Sequence, residues 1–528
     1  MSEVSKKKLV FHDEARSVLL DGVNQLADAV SVTMGPGGLN VVIQKDESVP
    51  VLTKDGVTVA RAINLPDEMQ NLGVQLVKEA AQGAADIAGD GTTTATVLAR
   101  EIFSLGLRSI AAGTSSVDIR DGLRLACDDA TRLINERSIP IQTDEQIKQV
   151  GTVSANGEEE IGQYLADAMS AVGREGVIAV EEAKGFKTSL EKVAGTRIDR
   201  GFVSPYFINN PARSCCILDN PKILLANRKI SSMRELLPIL EAAHERQKPI
   251  LIVAEEVEGE ALNGLVVNSS NGTIKVCVIR PPEFGQNRLG AMEDLAVLLG
   301  TSVYKSSDDL TAVTFDDLGS AKKVTIKKSE SVILQPGGSE EKIEKQKWSI
   351  REELSTPGLE ASVADALNRR LARLADGIAI IRVGGATEAE LRERKDRVED
   401  ALHATRAAAS KGILPGGGTA LLRISELLEF PKDERLHAGY RIIQLACRKP
   451  ITQIVQNAGK VPEVIIEKVL AEDNFDHGYN ARTGEYGDMK KMGVIDPTLV
   501  LVSALRHSVS AADNLLSVAC AMVDVENY

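Results

Sequence analysis

Hydrophobic residues recur with a helical period in the first quarter of the chain. Five apolar side chains share one face of the first predicted helix: Leu19, Val23, Leu26, Ala27 and Val30. The pattern ends at a glycine-rich turn, residues 33–38. A strand-like run follows at 40–44, and alanine-rich helices are predicted at roughly 68–88, 94–112 and 117–136. This quarter of the chain therefore predicts a helical bundle with a small β ribbon.

After Gly151 the pattern changes to short β-branched runs separated by glycine and proline. Strands are predicted at 176–180, 222–225, 249–253 and 274–279, alternating with helices at 233–246 and 258–270. Such alternation is typical of a mixed or parallel sheet covered by helices. Helical periodicity returns from about 388 to 409 and continues to the end. The order predicts a multidomain α+β or α/β protein, in which a helical domain built from both ends carries a distinct middle domain.

Composition limits the partners and the compartment. At ~100–200 residues per domain, 528 residues predict about three domains. Aromatic residues make up only 3% of the chain, so its cores must consist of small aliphatic side chains. With 62 basic and 75 acidic residues, the net charge of −13 disfavours nucleic acid and anionic membranes as partners. The six cysteines show no paired spacing and no apolar run approaches ~18 residues, which predicts a reduced, cytoplasmic protein without a membrane span.

The segment 88–94, Ala-Gly-Asp-Gly-Thr-Thr-Thr, stands directly before an apolar helical run. Glycines allow close backbone approach, and the first N–H groups of a helix attract anions. Thr92, Thr93 and Thr94 add hydroxyl donors, and Asp90 offers a hard oxygen suited to Mg²⁺. The segment predicts a phosphate and metal site, although an ordinary loop with a threonine cap explains the same residues.

Other nucleotide motifs do not compete with this segment. The chain has no G-x-x-x-x-G-K-[ST] sequence, and the turn at Gly35 lacks the full G-x-G-x-x-G pattern. Glycine turns at Gly35 and 416–418 fit a pocket of another type, where several turns converge on phosphates. Asp400 lies at the edge of the buried face of a charged helix. It is suited to activating a water for attack on a phosphate, yet an ordinary solvated acid fits the same position.

Eight motifs in order resemble group I chaperonins of the bacterial GroEL type, and the resemblance spans residues ~8 to 524. The motifs are 33–36 (TMGP), 53–57 (TKDGV), 88–96 (AGDGTTTAT), 151–156 (GTVSAN), 199–202 (DRGF), 204–207 (SPYF), 398–407 (VEDALHATRA) and 416–418 (GGG). The resemblance implies three domains. They are a mostly helical equatorial ATPase domain at 1–136 and 411–528, a small intermediate hinge domain at 137–194 and 378–410, and an α/β apical domain at 195–377.

The resemblance also implies the roles of individual residues. Asp400 would activate the attacking water, Asp55 would assist it, and Asp90 would hold Mg²⁺. The residues implied to bind ATP are Thr33, Met34, Gly35, Pro36, Lys54, Asp90, Gly91, Thr92, Thr93, Thr94, Gly417, Asn480, Ala481 and Asp496. K⁺ is implied near Thr33 and Thr93. Arg482 stands where the family usually has a small residue, and Gly37 where a basic residue is common.

In the apical domain the resemblance implies an exposed apolar rim that binds non-native polypeptides and a small co-chaperonin lid of the GroES type. Its residues are Phe202, Tyr206, Phe207, Leu237, Leu240, Leu262, Val266 and Val267. By periodicity alone, such helical stripes would face a core.

The assembly implied is a homo-oligomer of seven-fold rings. Arg200 and Glu388 match a pair made between neighbours within a ring, which favours the ring itself. Thr452 and Val461 replace the Arg and Glu of a usual contact between rings, so one ring and two rings both stay open.

The sequence leaves two functions open. One is an ATP-driven, lid-assisted folding chaperonin, favoured because Asp55, Asp90 and Asp400 are all present. The other is a divergent paralogue that binds non-native proteins or acts as a scaffold with slow ATP turnover. Gly37 and an end at 523–528 without Gly-Gly-Met repeats favour the second.

Overall fold

The computed structural model describes residues 7–44, 50–155, 157–173, 176–183, 185–283, 285–354, 361–375 and 377–524. Asn156 of the motif GTVSAN (151–156) and the terminal residues 525–528 lie outside this description. The chain forms two compact units. Unit 1 comprises Met1–Ser170, Val180–Ser189 and Arg382–Tyr528, and unit 2 comprises Ala171–Ala179 and Leu190–Ile381.

Helices dominate the first part of the chain. Its elements are β1 Lys7–Phe11, α1 His12–Ser31, β2 Val41–Ile43, β3 Val51–Thr53, α2 Gly56–Ala62, α3 Glu68–Ala88, α4 Thr92–Ala111, α5 Ser116–Arg137, α6 Asp144–Ser154, α7 Glu159–Val172 and β4 Ile178–Glu182. Local sequence sets several of the boundaries. Asp67 caps α3 by accepting from the Gln70 N–H, and Gly89, with φ +74°, ends this helix.

The middle of the chain alternates strands and helices. Its elements are β5 Ser189–Ile198, β6 Cys216–Asp219, β7 Lys222–Ile230, α8 Leu237–Glu245, β8 Ile250–Val257, α9 Gly259–Ser270, β9 Val276–Ile279, α10 Gln286–Leu299, β10 Val303–Lys305, β11 Gly319–Ile326, β12 Ser331–Pro336, α11 Glu340–Leu354 and α12 Ala361–Ala375.

The last part is again mostly helical. Its elements are β13 Gly377–Val383, α13 Glu388–Lys411, β14 Ile413–Pro415, α14 Thr419–Leu427, α15 His437–Cys447, α16 Lys449–Asn457, α17 Pro462–Leu470, β15 His477–Asn480, β16 Glu485–Asp488, β17 Ile495–Pro497, α18 Thr498–Leu516 and β18 Cys520–Asp524.

Small residues allow the helices of unit 1 to pack closely. A Cβ on Gly22 of α1 would lie 2.0 Å from the Gln70 carbonyl oxygen of α3, and one on Gly73 would lie 2.3 Å from that of Leu19. The backbones of these two helices therefore touch. Antiparallel pairing of β1 with β18 brings the two described ends of the chain together in the same unit. Unit 1 thus includes both described ends of the chain, and the division into three domains stays a prediction.

A ten-stranded mixed sheet has the order β4-β13-β5-β12-β11-β7-β8-β9, with β10 added on β7 and β6 on β11. Parallel pairing joins β7, β8 and β9, whereas β11 pairs antiparallel with β12 and β7. The parallel strands β7, β8 and β9 are buried over most of their length, as expected where helices cover a sheet. The mixed, helix-covered sheet predicted from the sequence is confirmed.

A buried ion pair anchors three helices of unit 2. Arg370 of α12 donates to both carboxylate oxygens of Asp294 on α10, at 2.7 and 2.9 Å. Asp294 is fully buried and also accepts from Gln346 of α11 at 2.9 Å.

Among the described residues, no helix is long and apolar enough to cross a membrane. None of the six cysteines, all of which lie in the described ranges, forms a disulfide bond.

Candidate functional site

The loop between α3 and α4 holds Asp90 between two glycines with positive φ, +74° at Gly89 and +98° at Gly91. The Asp90 carboxylate accepts from the Gly91 N–H at 2.5 Å and from the Ser154 hydroxyl of α6 at 3.2 Å. Helix α4 begins at Thr92, two residues before the predicted start, because Gly91 occupies its N-cap position without a capping side chain. The first N–H groups of α4 thus lack the usual side-chain acceptor.

Thr92 carries a second sign of an incomplete site. Its side chain is 4% exposed, and its hydroxyl has no hydrogen-bond partner. A buried hydroxyl without a partner costs free energy, so it is normally retained where a ligand or water satisfies it. Together with the uncapped helix start, Thr92 fits an anion bound at the N-terminus of α4.

Asp55 lies at the start of α2, directly beside α4. Its carboxylate accepts from the N–H groups of Val57 and Thr58 at 2.9 and 2.8 Å. A Cβ on Gly56 would lie 2.1 Å from the Thr93 hydroxyl, so the two helix starts are in contact. Asp55 is therefore held in one orientation next to the threonines of α4.

Asp400 reaches the same place from α13. Helix α13 packs on the Asp90 loop so closely that a Cβ on Gly89 would lie 2.0 Å from the Cβ of His403. Burial, followed by repulsion from Asp55 and Asp90, raises the pKa of Asp400 well above its usual value. The structure thus brings three carboxylates together, although the first, Asp55, and the last, Asp400, are more than 300 positions apart in the sequence.

The negative charges of these carboxylates are poorly balanced by positively charged side chains of the protein. Burial raises the pKa of Asp90 against the lowering effect of its two hydrogen bonds, and burial with repulsion from Asp90 raises that of Asp496 to about 7. Burial and repulsion from Arg397 lower the pKa of Lys54. A bound cation would relieve the repulsion between the carboxylates.

The oxygen donors of this cluster fit an Mg²⁺ ion that is coordinated partly by the protein and partly by a bound phosphate. Within the described ranges, no group of three or more His, Cys, Asp or Glu residues is arranged to hold a metal by itself. Mg²⁺ commonly takes one or two carboxylates together with phosphate oxygens and water. Asp90, in the glycine loop, fits that role.

The glycine turn at 416–418 forms another wall of the site. Asp496 of β17 pairs with Leu414 of β14, and its Oδ1 lies 2.8 Å from where a Cβ on Gly416 would stand. Gly417 and Gly418 have φ of +66° and +76°, which glycine adopts readily. Any side chain at Gly416 would therefore displace the Asp496 carboxylate.

Asn480 and Ala481 lie at the end of β15, in a tight turn. The Asn480 side-chain oxygen accepts from the N–H groups of Arg482 and Thr483 at 3.0 and 3.4 Å. The Asn480 carbonyl accepts from the Gly484 N–H at 2.8 Å. These bonds fix the shape of the turn.

The turn at 33–38 is held by α16. Asn457 donates to the carbonyls of Ser31 and Met34 at 2.8 and 2.9 Å, and the Thr33 hydroxyl donates to the Val30 carbonyl at 2.8 Å. A Cβ on Gly37 would lie 2.6 Å from the Asn457 carbonyl oxygen. This contact explains why Gly37, and no larger side chain, occupies that position here.

Two of the eight rim residues in unit 2 do not have the predicted exposure. Phe207 is 1% exposed and Leu240 is 3% exposed, and both belong to the main hydrophobic core of the unit. Leu240 shares the inner face of α8 with Ile239 and Ala243. The prediction of exposed side chains is wrong for Phe207 and Leu240, because both fill the space beneath their own elements.

The other rim residues border solvent to different degrees. Tyr206, Leu237 and Val267 are 69%, 42% and 55% exposed, whereas Phe202, Leu262 and Val266 are half-buried against the core. An open groove of about 380 Å³ follows α9. Its lining consists of Met233, Glu260, Asn263, Gly264, Val267 and Asn268.

The two predicted contact residues lie on different units. Arg200 donates from Nε to the Pro281 carbonyl at 3.4 Å in unit 2. Glu388 is exposed at the start of α13 and pairs with Arg392 of the same helix. Their contact between subunits stays a prediction.

Sequence reasoning missed three residues that shape the site: Ser154, His403 and Asn457. Ser154 and His403 lie inside recognised motifs, but no spacing rule connects them to Asp90 or Gly89. Their roles depend on contacts between segments far apart in sequence.

The fold is that of a chaperonin. A model of the TCP-1/cpn60 chaperonin family matches residues 26–526, and the chain therefore belongs to this family. The chaperonin resemblance of the sequence motifs is thereby confirmed.

Two crystal structures of the chaperonin gp146 from bacteriophage EL 2 (Pseudomonas aeruginosa), both determined in the presence of ATP-BeFx, are similar to this chain. Crystal form II gives a TM-score of 0.70 and crystal form I a TM-score of 0.64. In both cases the identity is 23%, and the match covers 98% of this chain and 99% of the other. The similarity shows that the chaperonin fold extends over nearly the full length.

Proposed function

We propose that this chain is an ATP-hydrolysing chaperonin of the group I type, which captures non-native proteins and promotes their folding in the cytoplasm. The observation that carries the proposal is the cluster of Asp55, Asp90 and Asp400 around the glycine loop and the unsatisfied Thr92 hydroxyl. Such a cluster destabilises the protein by itself, so a functional role accounts for it better than a structural one.

ATP would bind with its phosphates at the start of α4, among Gly91 to Thr94, next to Lys54 and the turn at 33–36. The adenosine would lie towards Gly417, Asn480, Ala481 and Asp496. Mg²⁺, held by Asp90, would neutralise charge on the phosphate oxygens, and K⁺ near Thr33 and Thr93 would add to this.

Asp400 would act as the general base. Burial and the neighbouring carboxylates raise its pKa, and a carboxylate with a raised pKa takes a proton from water more readily. Asp55, fixed by the N–H groups of Val57 and Thr58, would orient the same water. Asp400 would keep the proton at its carboxyl group until the product leaves.

We assign client capture to unit 2. Tyr206, Leu237 and Val267 would contact non-native chains and, in competition, a lid of the GroES type. Because Phe207 and Leu240 are buried, they would support this surface from below.

We retain the three-domain division and a seven-fold ring with an Arg200–Glu388 contact between neighbours as parts of the proposal. The proposal includes one or two such rings, and it favours the ring itself over a second ring, because Thr452 and Val461 replace the Arg and Glu of the usual contact between rings.

The test is steady-state phosphate release from ATP by the full-length protein, by Asp400→Ala and by a matched control. Asp86→Asn serves as the control, since Asp86 is an exposed acid on α3, the helix that precedes the Asp90 loop. Removing a general base lowers turnover by roughly 10²–10⁴-fold. We expect a loss of that size in Asp400→Ala and wild-type turnover in the control. Equal turnover in wild type and Asp400→Ala would refute the role of Asp400.

A further inference from the structure

The geometry points to Arg482 as a positioning residue for ATP hydrolysis. Its side chain ties the turn at 480–483 to the loop at Gly157, and this loop in turn holds the helix of Asp400. The Arg482 guanidinium donates from Nη1 to the Gly157 carbonyl at 2.9 Å, across 325 positions of sequence. Both residues belong to unit 1. This inference rests on the proposed function, because it concerns the same nucleotide site.

The turn presents Arg482 in a fixed direction. Asn480 accepts from the Arg482 N–H at 3.0 Å through its side chain and from the Gly484 N–H at 2.8 Å through its carbonyl. The backbone that carries the guanidinium is thus set by the residue proposed to lie beside the adenosine. Only the side chain of Arg482 has to be ordered to form the contact.

Gly157 is suited to receive this side chain. Its φ is +89°, a backbone conformation that residues other than glycine rarely adopt. A Cβ at this position would lie 1.7 Å from Arg482 Nη1. A methyl group there would therefore push the guanidinium away from the carbonyl.

The loop connects Arg482 to Asp400 through ion pairs. Glu158, the next residue, accepts from Arg394 at 3.0 Å and from Arg397 at 2.7 Å, both on α13. Asp400 follows Arg397 by about one helical turn. Arg482 thus holds one end of a short chain of contacts whose other end is the helix that presents the proposed general base.

The same segment also touches the metal side of the site. Ser154, at the end of α6, donates to Asp90 at 3.2 Å. The segment from α6 to α7 is therefore attached to the site at two points, Asp90 and the turn at 480–483. Without Arg482 the segment would lose its attachment to the turn at 480–483, and Asp400 would spend less time beside Asp55 and Asp90.

Single-turnover ATP hydrolysis by the full-length protein tests this role. We expect Arg482→Ala to lower the rate by roughly two- to tenfold, the effect of losing one hydrogen bond. Gly157→Ala should lower it similarly, because it displaces the same guanidinium. The matched control is Arg441→Ala, an exposed arginine whose bond to Gln444 stays on its own helix.

A double variant separates positioning from direct contact with the nucleotide. If Arg482 acts through Asp400, then Asp400→Ala with Arg482→Ala will hydrolyse ATP at the rate of Asp400→Ala alone. If the double variant loses a further two- to tenfold, Arg482 acts without Asp400 and the inference is overturned. An unchanged rate in the Arg482→Ala variant overturns it as well.

Amide hydrogen exchange of the nucleotide-free protein tests the contact between Arg482 and the loop at Gly157 independently of ATPase activity. We expect Arg482→Ala and Gly157→Ala to speed amide exchange at 157–165 relative to wild type, and Arg441→Ala to leave it unchanged. Unaltered exchange in both variants would overturn the inference even if ATP is hydrolysed normally. A wild type that neither binds nor hydrolyses ATP would refute the proposed function, while the exchange result would still decide whether Arg482 holds the loop.

Discussion

The raised pKa of Asp496 predicts an unusual pH dependence of stability. Burial and the nearby Asp90 place this pKa at about 7 in the folded protein, against 3.8 for the free side chain. The folded state therefore keeps a proton at pH values where the unfolded chain has lost it. The contribution of Asp496 to stability is complete below pH 3.8 and is lost as the pH rises through 7.

The size of the effect follows from the two pKa values. A difference of about three pKa units corresponds to about 4 kcal/mol at pH 8, and to about 2 kcal/mol at pH 5, where the unfolded carboxyl is already mostly ionised. Asp496→Asn resembles the protonated acid and does not ionise. We therefore expect Asp496→Asn to be more stable than wild type, with a margin that grows by roughly 2–3 kcal/mol from pH 5 to pH 8.

Urea unfolding of the nucleotide-free protein at several pH values measures this margin. Comparing variant with wild type at each pH cancels the titration of the groups they share. Asp86→Asn, at an exposed carboxylate, is the matched control. A margin for Asp496→Asn that stays constant from pH 5 to 8, or that shrinks, would refute the assignment of a protonated Asp496 beside Asp90.

Four further substitutions test the packing of the site and of unit 2. Gly56→Ala should weaken ATP binding roughly tenfold or more, because its Cβ would fall 2.1 Å from the Thr93 hydroxyl, and calorimetric titration would show this. Leu240→Ala should cost ~2–5 kcal/mol in unfolding free energy, whereas Leu237→Ser should cost little but reduce capture of a denatured client in a light-scattering assay. Arg370→Ala should destabilise unit 2 by ~3–5 kcal/mol in urea unfolding followed by tryptophan fluorescence, because it leaves a buried carboxylate unpaired; a loss below ~1 kcal/mol would contradict this.

The sequence predicted most elements because their signals are local. Helix α3 was expected at 68–88 and is found at Glu68–Ala88, since Asp67 caps its start and Gly89 ends it. Helix α4 begins two residues before the predicted start, because Gly91 in the left-handed conformation occupies its N-cap position. Helical periodicity placed Leu240 on the same stripe as Leu237, but the sheet beneath α8 decides which of the two is buried.

The site was less accessible to sequence reasoning. The segment 88–94 indicated a phosphate site on its own, but Asp400 could not be separated from an ordinary charged residue of its helix without the family resemblance. Contacts such as Ser154 with Asp90, or Asp496 with Gly416, join segments 64 and 80 positions apart and have no periodic signature. They follow from how the helices pack, which periodicity does not specify.

The central claim is that ATP turnover at the Asp55, Asp90 and Asp400 cluster drives the folding of bound clients. The most direct test dilutes a chemically denatured enzyme into the full-length protein with a GroES-type lid, Mg²⁺ and K⁺, and follows the recovery of the enzyme's activity. We predict recovery that depends on ATP and falls strongly when Asp400→Ala replaces wild type. Capture of the enzyme with no ATP-dependent recovery by wild type would contradict the claim and indicate a binding or scaffold ring.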